Sequence, residues 1–145
     1  MIKMIKGNLV SAVLNGEVDM MMHVCNCQGV MGSGLAKEVK ERIPEAYKVY
    51  MKYPRGLGDY TKTNKVINLY AQDKYGYGKR HLNYGALSLS LCTVFDDLDG
   101  EGFVGTVGVP YRMGADRAGG DWEIILEILE VLVDYHSIKL VIYQL

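Results

Sequence analysis

The chain has 145 residues, a formal net charge of −1, and 49% hydrophobic and 23% charged residues. That size suits one globular domain, and the lack of a basic excess argues against a nucleic-acid groove. No apolar run nears the ~20 residues that cross a bilayer, the opening Met1-Ile2-Lys3-Met4-Ile5-Lys6 is too short and charged for a signal peptide, and three cysteines make no disulfide framework.

A cytoplasmic monomer with reduced thiols and no membrane partner is therefore expected. Residues 1–6 predict a short strand ended by Gly7-Asn8, and residues 9–14 one or two helical turns before the Asn15-Gly16 break. Residues 18–25 are almost continuously apolar, as in a central strand covered on both faces. Asn26 ends that strand. A loop spaced by Gly29, Gly32 and Gly34 then leads into an amphipathic helix beginning near Ser33, with Leu35, Ala36, Val39 and Ile43 on one face. Pro44 suits the first turn of a further helix over residues 45–53, closed by Pro54 and Gly56.

Residues 65–71 read as a second buried strand and residues 72–83 as a loop. Leu87, Leu91, Phe95 and Leu98 mark a helix over 84–98. Residues 102–110 predict a strand and residues 111–120 a loop. Asp121 is a good N-cap for a helix striped by Ile124, Ile125, Ile128, Leu129 and Leu132, and residues 138–145 form a closing strand. This alternation predicts an α/β fold, a three-layer α/β/α sandwich on a mostly parallel mixed sheet, as a single domain over residues 1–145. Ligands of such sheets sit outside the C-terminal strand ends, at the loops 26–33, 72–83 and 111–120. The first of these combines glycines, exposed amides and a helix N-terminus, which together bind anions.

The run Val18-Asp19-Met20-Met21-Met22-His23-Val24-Cys25-Asn26, followed by Gly32-Ser33-Gly34-Leu35-Ala36, resembles the macro domain, an ADP-ribose-binding α/β fold. Lys6-Gly7-Asn8-Leu9 is similar to the family's turn after its first strand, and residues 110–122 occupy the place of its second phosphate-binding loop. His23 within the strand and the ending Val141-Ile142-Tyr143-Gln144-Leu145 resemble one branch. That branch includes the yeast-type ADP-ribose 1''-phosphate phosphatases, related phage proteins and the terminal ADP-ribose–protein glycohydrolase.

The resemblance implies that Asn26 meets the distal ribose, a closure of its own turn being the alternative. It implies that the backbone of Gly29, Met31, Gly32, Ser33, Gly34 and Leu35 faces Gly114, Ala115, Arg117, Ala118, Gly119 and Gly120 around the phosphates. Asn8 and Leu9 would lie at the adenine, with an N-cap as the other role for Asn8. His23 is a candidate to orient water or move a proton, against a satisfied strand histidine. Lys74 sits near the position of the lysine that attacks the anomeric carbon in the glycohydrolase. Asp116 is the other catalytic candidate, although aligning the glycines and Trp122 puts Ala118 at the acid's place and Asp116 at a glycine's. Tyr70, Tyr75 and Tyr77 are candidates to close over the ligand.

No cofactor and no metal are expected, since Cys25 and Cys27 have no histidine pair at zinc-like spacing. The expected partner is a small ADP-ribose derivative or an ADP-ribosylated protein. The expected activity is hydrolysis of ADP-ribose 1''-phosphate. The alternatives are release of ADP-ribose from protein carboxylates, or binding without catalysis.

Overall fold

Alternating apolar runs and amphipathic stretches fold, in a computed structural model that describes residues 2–74 and 79–145, into strands and helices that for the most part alternate. These are β1 (Lys3–Lys6), α1 (Leu9–Leu14), β2 (Met20–Asn26), α2 (Gly34–Arg42), α3 (Pro44–Lys52), β3 (Tyr60–Lys62), β4 (Val66–Gln72), α4 (Tyr84–Gly100), β5 (Thr106–Pro110), α5 (Trp122–Tyr135) and β6 (Lys139–Gln144). The sheet order is β1-β6-β5-β2-β4-β3. Every pairing is parallel except β3 with β4.

Side chains alternate across the sheet, so the two faces of β2 build two cores. Met20 and Met22 pack with Ile67, Leu69, Leu87 and Leu91 under α4 and α5. Met21 packs with Val10, Val13, Val39 and Val66 under α1 and α2. Burial on both faces is why these strands read as nearly continuous apolar runs. Among the described residues, no helix is long and apolar enough to cross a membrane.

The predicted elements stand, with adjusted ends. β2 begins at Met20, just after Asp19, whose Oδ2 accepts the Thr106 amide at 2.7 Å and clasps the starts of β2 and β5 together. β5 begins only at Thr106, at that same clasp. Ile124 is exposed rather than part of the buried stripe, which runs through Ile125, Leu129 and Leu132. β3 was not expected: three half-buried residues at a sheet edge carry no alternation to read.

Candidate ligand-binding site

β2 and β5 are neighbours for only two residue pairs, Met20 with Val107 and Met21 with Gly108. Beyond them β2 follows β4 as far as Asn26, while β5 follows β6 as far as Pro110. Pro110 has no amide hydrogen to offer a neighbouring strand. The crevice that opens between the two C-terminal halves is the switch point at which parallel sheets take ligands. A cavity of about 780 Å³ lies there, within the range of small-molecule sites.

One wall begins at Asn26. Its Nδ2 donates to the Val30 carbonyl at 2.7 Å, and its Oδ1 accepts the Gln28 amide at 3.0 Å, so the carboxamide closes its own turn. Ser33 holds the extended N-cap conformation of α2, yet its side chain caps nothing. Its hydroxyl instead accepts Arg117 Nη1 at 2.7 Å. The amides of Gly34, Leu35 and Ala36 therefore have no protein partner among the described residues, and all three residues line the cavity. The positive end of the helix adds to their pull on an anion.

The opposite wall is the loop after β5. It is wound by its own bonds, from the Met113 amide to Pro110, from Ala115 to Arg112 at 2.8 Å, and from Gly120 to Gly114 at 2.9 Å. These leave the amides of Gly114, Asp116 and Ala118 without partners among the described residues, on a lining stretch of the loop. Asp116 Oδ1 accepts Arg112 Nε at 3.0 Å, which ties the carboxylate along the rim. Ala118 carbonyl accepts the amides of both His81 and Leu82, at 2.8 and 2.9 Å.

His23 lines the cavity floor but is only 2% exposed. Asn68 Nδ2 donates to the Ala46 carbonyl and to Thr61 Oγ1, both at 3.1 Å, so Asn68 Oδ1 must accept. His23 Nε2 therefore carries the proton it shares at 2.7 Å and Nδ1 is left as an acceptor, while the Cys25 sulfur lies 3.4 Å from Nε2 and 3.8 Å from Nδ1. Burial holds the imidazole pKa down to about 4, against the weaker upward pull of Asn68. The ring is neutral near pH 7.

The structure gathers Asn26, Met31, Gly32, Ser33, Gly34 and Leu35 opposite Gly114, Ala115, Asp116, Arg117 and Ala118. Other expected residues lie elsewhere. Asn8 caps α1 through the Ser11 amide at 2.8 Å and donates to Glu38 Oε2 at 3.0 Å, and Leu9 is buried in the core below. Gly29 backs onto the Arg55 guanidinium, and Gly119 backs onto residues 79 and 80. Gly120 packs on Leu82. Lys74 does not line the cavity, and its carbonyl accepts Gln72 Nε2 at 2.6 Å. Tyr70 is fully buried with its hydroxyl on Thr61, so it does not close over a ligand; Tyr75 and Tyr77 lie outside the described residues.

Two residues behind the wall were missed. Asn68 interrupts an apolar strand, and a buried amide must be satisfied, so it carried a readable signal. Tyr50 did not, because a tyrosine on an amphipathic helix reads as packing. Among the described residues, no three histidine, cysteine or acidic side chains converge as metal ligands.

No protein-family model matches the chain. A 17.5 kDa protein of Enterobacteria phage T4, from its tk-vs intergenic region, is 29% identical across 96% of this chain and 92% of that protein. An ADP-ribose 1''-phosphate phosphatase of Debaryomyces hansenii is 38% identical over 55 residues, which span 37% of this chain and only 31% of the phosphatase. Among solved structures, the macrodomain of Mycobacterium tuberculosis DarG superposes with a TM-score of 0.78 at 23% identity, covering 99% of this chain and 97% of that one. Thermosipho africanus DarTG in complex with ADP-ribose superposes at 0.76 and 16% identity, covering 99% of this chain and 42% of that one. By its superposition on these structures along nearly its whole length, the chain has the macrodomain fold.

Proposed function

We propose that the crevice binds ADP-ribose and that the protein hydrolyses ADP-ribose 1''-phosphate to ADP-ribose and inorganic phosphate. The observation that carries this reading is the convergence of unpartnered amides from two loops, those of Gly34, Leu35 and Ala36 and those of Gly114, Asp116 and Ala118, on one cavity. Such a cradle suits linked phosphates in a chain with little net positive charge. The ADP-ribose held by the Thermosipho relative and the phosphatase named among the partial relatives support the same direction.

In this reading a water attacks the terminal phosphorus, the P–O bond to the ribose breaks, and amides oriented in advance stabilise the charge on the phosphoryl oxygens. Asp116 suits the water better than His23 does. Its carboxylate keeps one oxygen beyond the Arg112 pair, whereas His23 is buried and commits its Nε2 proton to Asn68. Release of ADP-ribose from protein carboxylates through a lysyl adduct has less support, because Lys74 stands off the cavity.

The test is to incubate the protein with ADP-ribose 1''-phosphate and, in parallel, with a protein ADP-ribosylated on glutamate. Phosphate release in the first alone, lost in Asp116→Asn, is expected. Release of ADP-ribose in the second alone would replace this reading, and ADP-ribose binding with neither product would make the domain a binding module.

A further inference from the structure

Tyr50 stands behind the cavity wall without lining it. The ring is fully buried, and the hydroxyl accepts the Val30 amide at 2.9 Å. Its single hydrogen faces two acceptors of Asn26, Oδ1 at 2.7 Å and the backbone carbonyl at 2.9 Å. One phenol thus ties both ends of the turn 26–30 to one point on α3.

Asn26 Oδ1 reaches the Val30 amide only at 3.3 Å, so the phenol is the nearer partner of that amide. The Val30 carbonyl in turn fixes the Asn26 carboxamide. Arg55 holds the ring from the other side. Its guanidinium lies 5.3 Å from the ring centroid, Nη1 donates to the Tyr50 carbonyl at 2.9 Å, and Nε donates to the Cys27 carbonyl at 3.4 Å.

We propose that Tyr50 is a positioning residue: its hydroxyl presets the turn 26–30, so that Asn26 and the path into the α2 amides are in place before a ligand arrives. The effect on affinity rests on the ADP-ribose reading given above. An arrangement made in advance spares the ligand the ordering of that turn.

Tyr70 supplies an internal control. It is equally buried, its ring centroid lies 5.9 Å from that of Tyr50, and its hydroxyl meets Thr61 Oγ1 at 2.6 Å instead of the turn. Tyr50→Phe and Tyr70→Phe each remove one oxygen from the same aromatic pair. ADP-ribose is titrated into the wild type and both variants by calorimetry. Melting temperatures and amide hydrogen exchange at Gln28 and Val30 are measured without ligand.

Tyr50→Phe is expected to raise the dissociation constant about 10-fold and to speed exchange at both amides, while Tyr70→Phe stays within about threefold at a similar loss of melting temperature. Affinity losses that simply follow melting temperature, or unchanged exchange at Gln28 and Val30, overturn the proposal. A wild type that binds no ADP-ribose overturns the functional reading instead, and the exchange rates still decide the role of Tyr50. If Tyr50→Phe does not fold, Arg55→Gln removes the half-buried guanidinium that lies against the same ring. Unchanged Val30 exchange in that variant counts against the proposal, and faster exchange supports it.

Discussion

Arg117 Nη1 donates to Ser33 Oγ at 2.7 Å, joining two cavity-lining loops whose residues are 84 apart in sequence. The serine oxygen that would ordinarily satisfy the first turn of α2 is thereby drawn across to the arginine, and the helix amides stay available.

That relationship separates two substitutions. Arg117→Met removes a charge-assisted donor at the rim of the proposed phosphate cradle and is expected to weaken ADP-ribose binding about 10-fold, with a shallower dependence on salt. Ser33→Ala keeps the guanidinium and is expected to stay within about threefold. Calorimetry at two salt concentrations measures both.

Lys74→Ala is expected to leave ADP-ribose affinity and phosphate release within about twofold, because the residue lies off the cavity. A loss of turnover beyond 100-fold, with a lysine adduct seen by mass spectrometry of the wild type, would instead favour the glycosidic route.

Gly120→Ala tests the second loop. An added Cβ would meet Leu82 Cδ2 and would lie 2.7 Å from the Gly114 carbonyl oxygen, which is backbone and cannot swing aside. A cost of about 2 kcal/mol is expected, or roughly 5 °C in melting temperature, together with weaker ligand binding. A melting temperature equal to that of the wild type would mean the loop can shift at no cost.

His23 gives stability a definite pH dependence. Its folded pKa, near 4, lies below its ordinary value of 6.5, so between these limits the unfolded chain binds the extra proton. The contribution is complete above about pH 6.5 and is lost as pH falls towards 4. Roughly 2 kcal/mol of it should vanish between pH 7 and 5, and His23→Gln should flatten that slope in denaturant titrations. Binding should show no inflection near pH 6.5 from this ring.

The architecture was legible because its signals are local and strong. Nearly continuous apolar runs announced β2 and β4, the spacing of Leu87, Leu91, Phe95 and Leu98 announced α4, and Asp121 marked the start of α5 with a cap onto the Glu123 amide. The two amide-bearing walls were legible for the same reason, as glycine-punctuated loops at strand ends. What was not legible depends on partners distant in sequence. The cap by Asn8 was one of the two roles open to it, but nothing local says that its carboxamide also donates to Glu38, or that Lys74 leaves the cavity. Nor does a helix of mixed tyrosines disclose that one phenol reaches the turn after β2.

The Ala118 carbonyl, shared by the amides of His81 and Leu82, couples the far wall of the crevice to chain arriving from another strand. Lengthening or shortening that chain would drag the carbonyl and re-aim the amides beside it. An insertion or deletion ahead of His81 is accordingly expected to alter which ligand the crevice prefers.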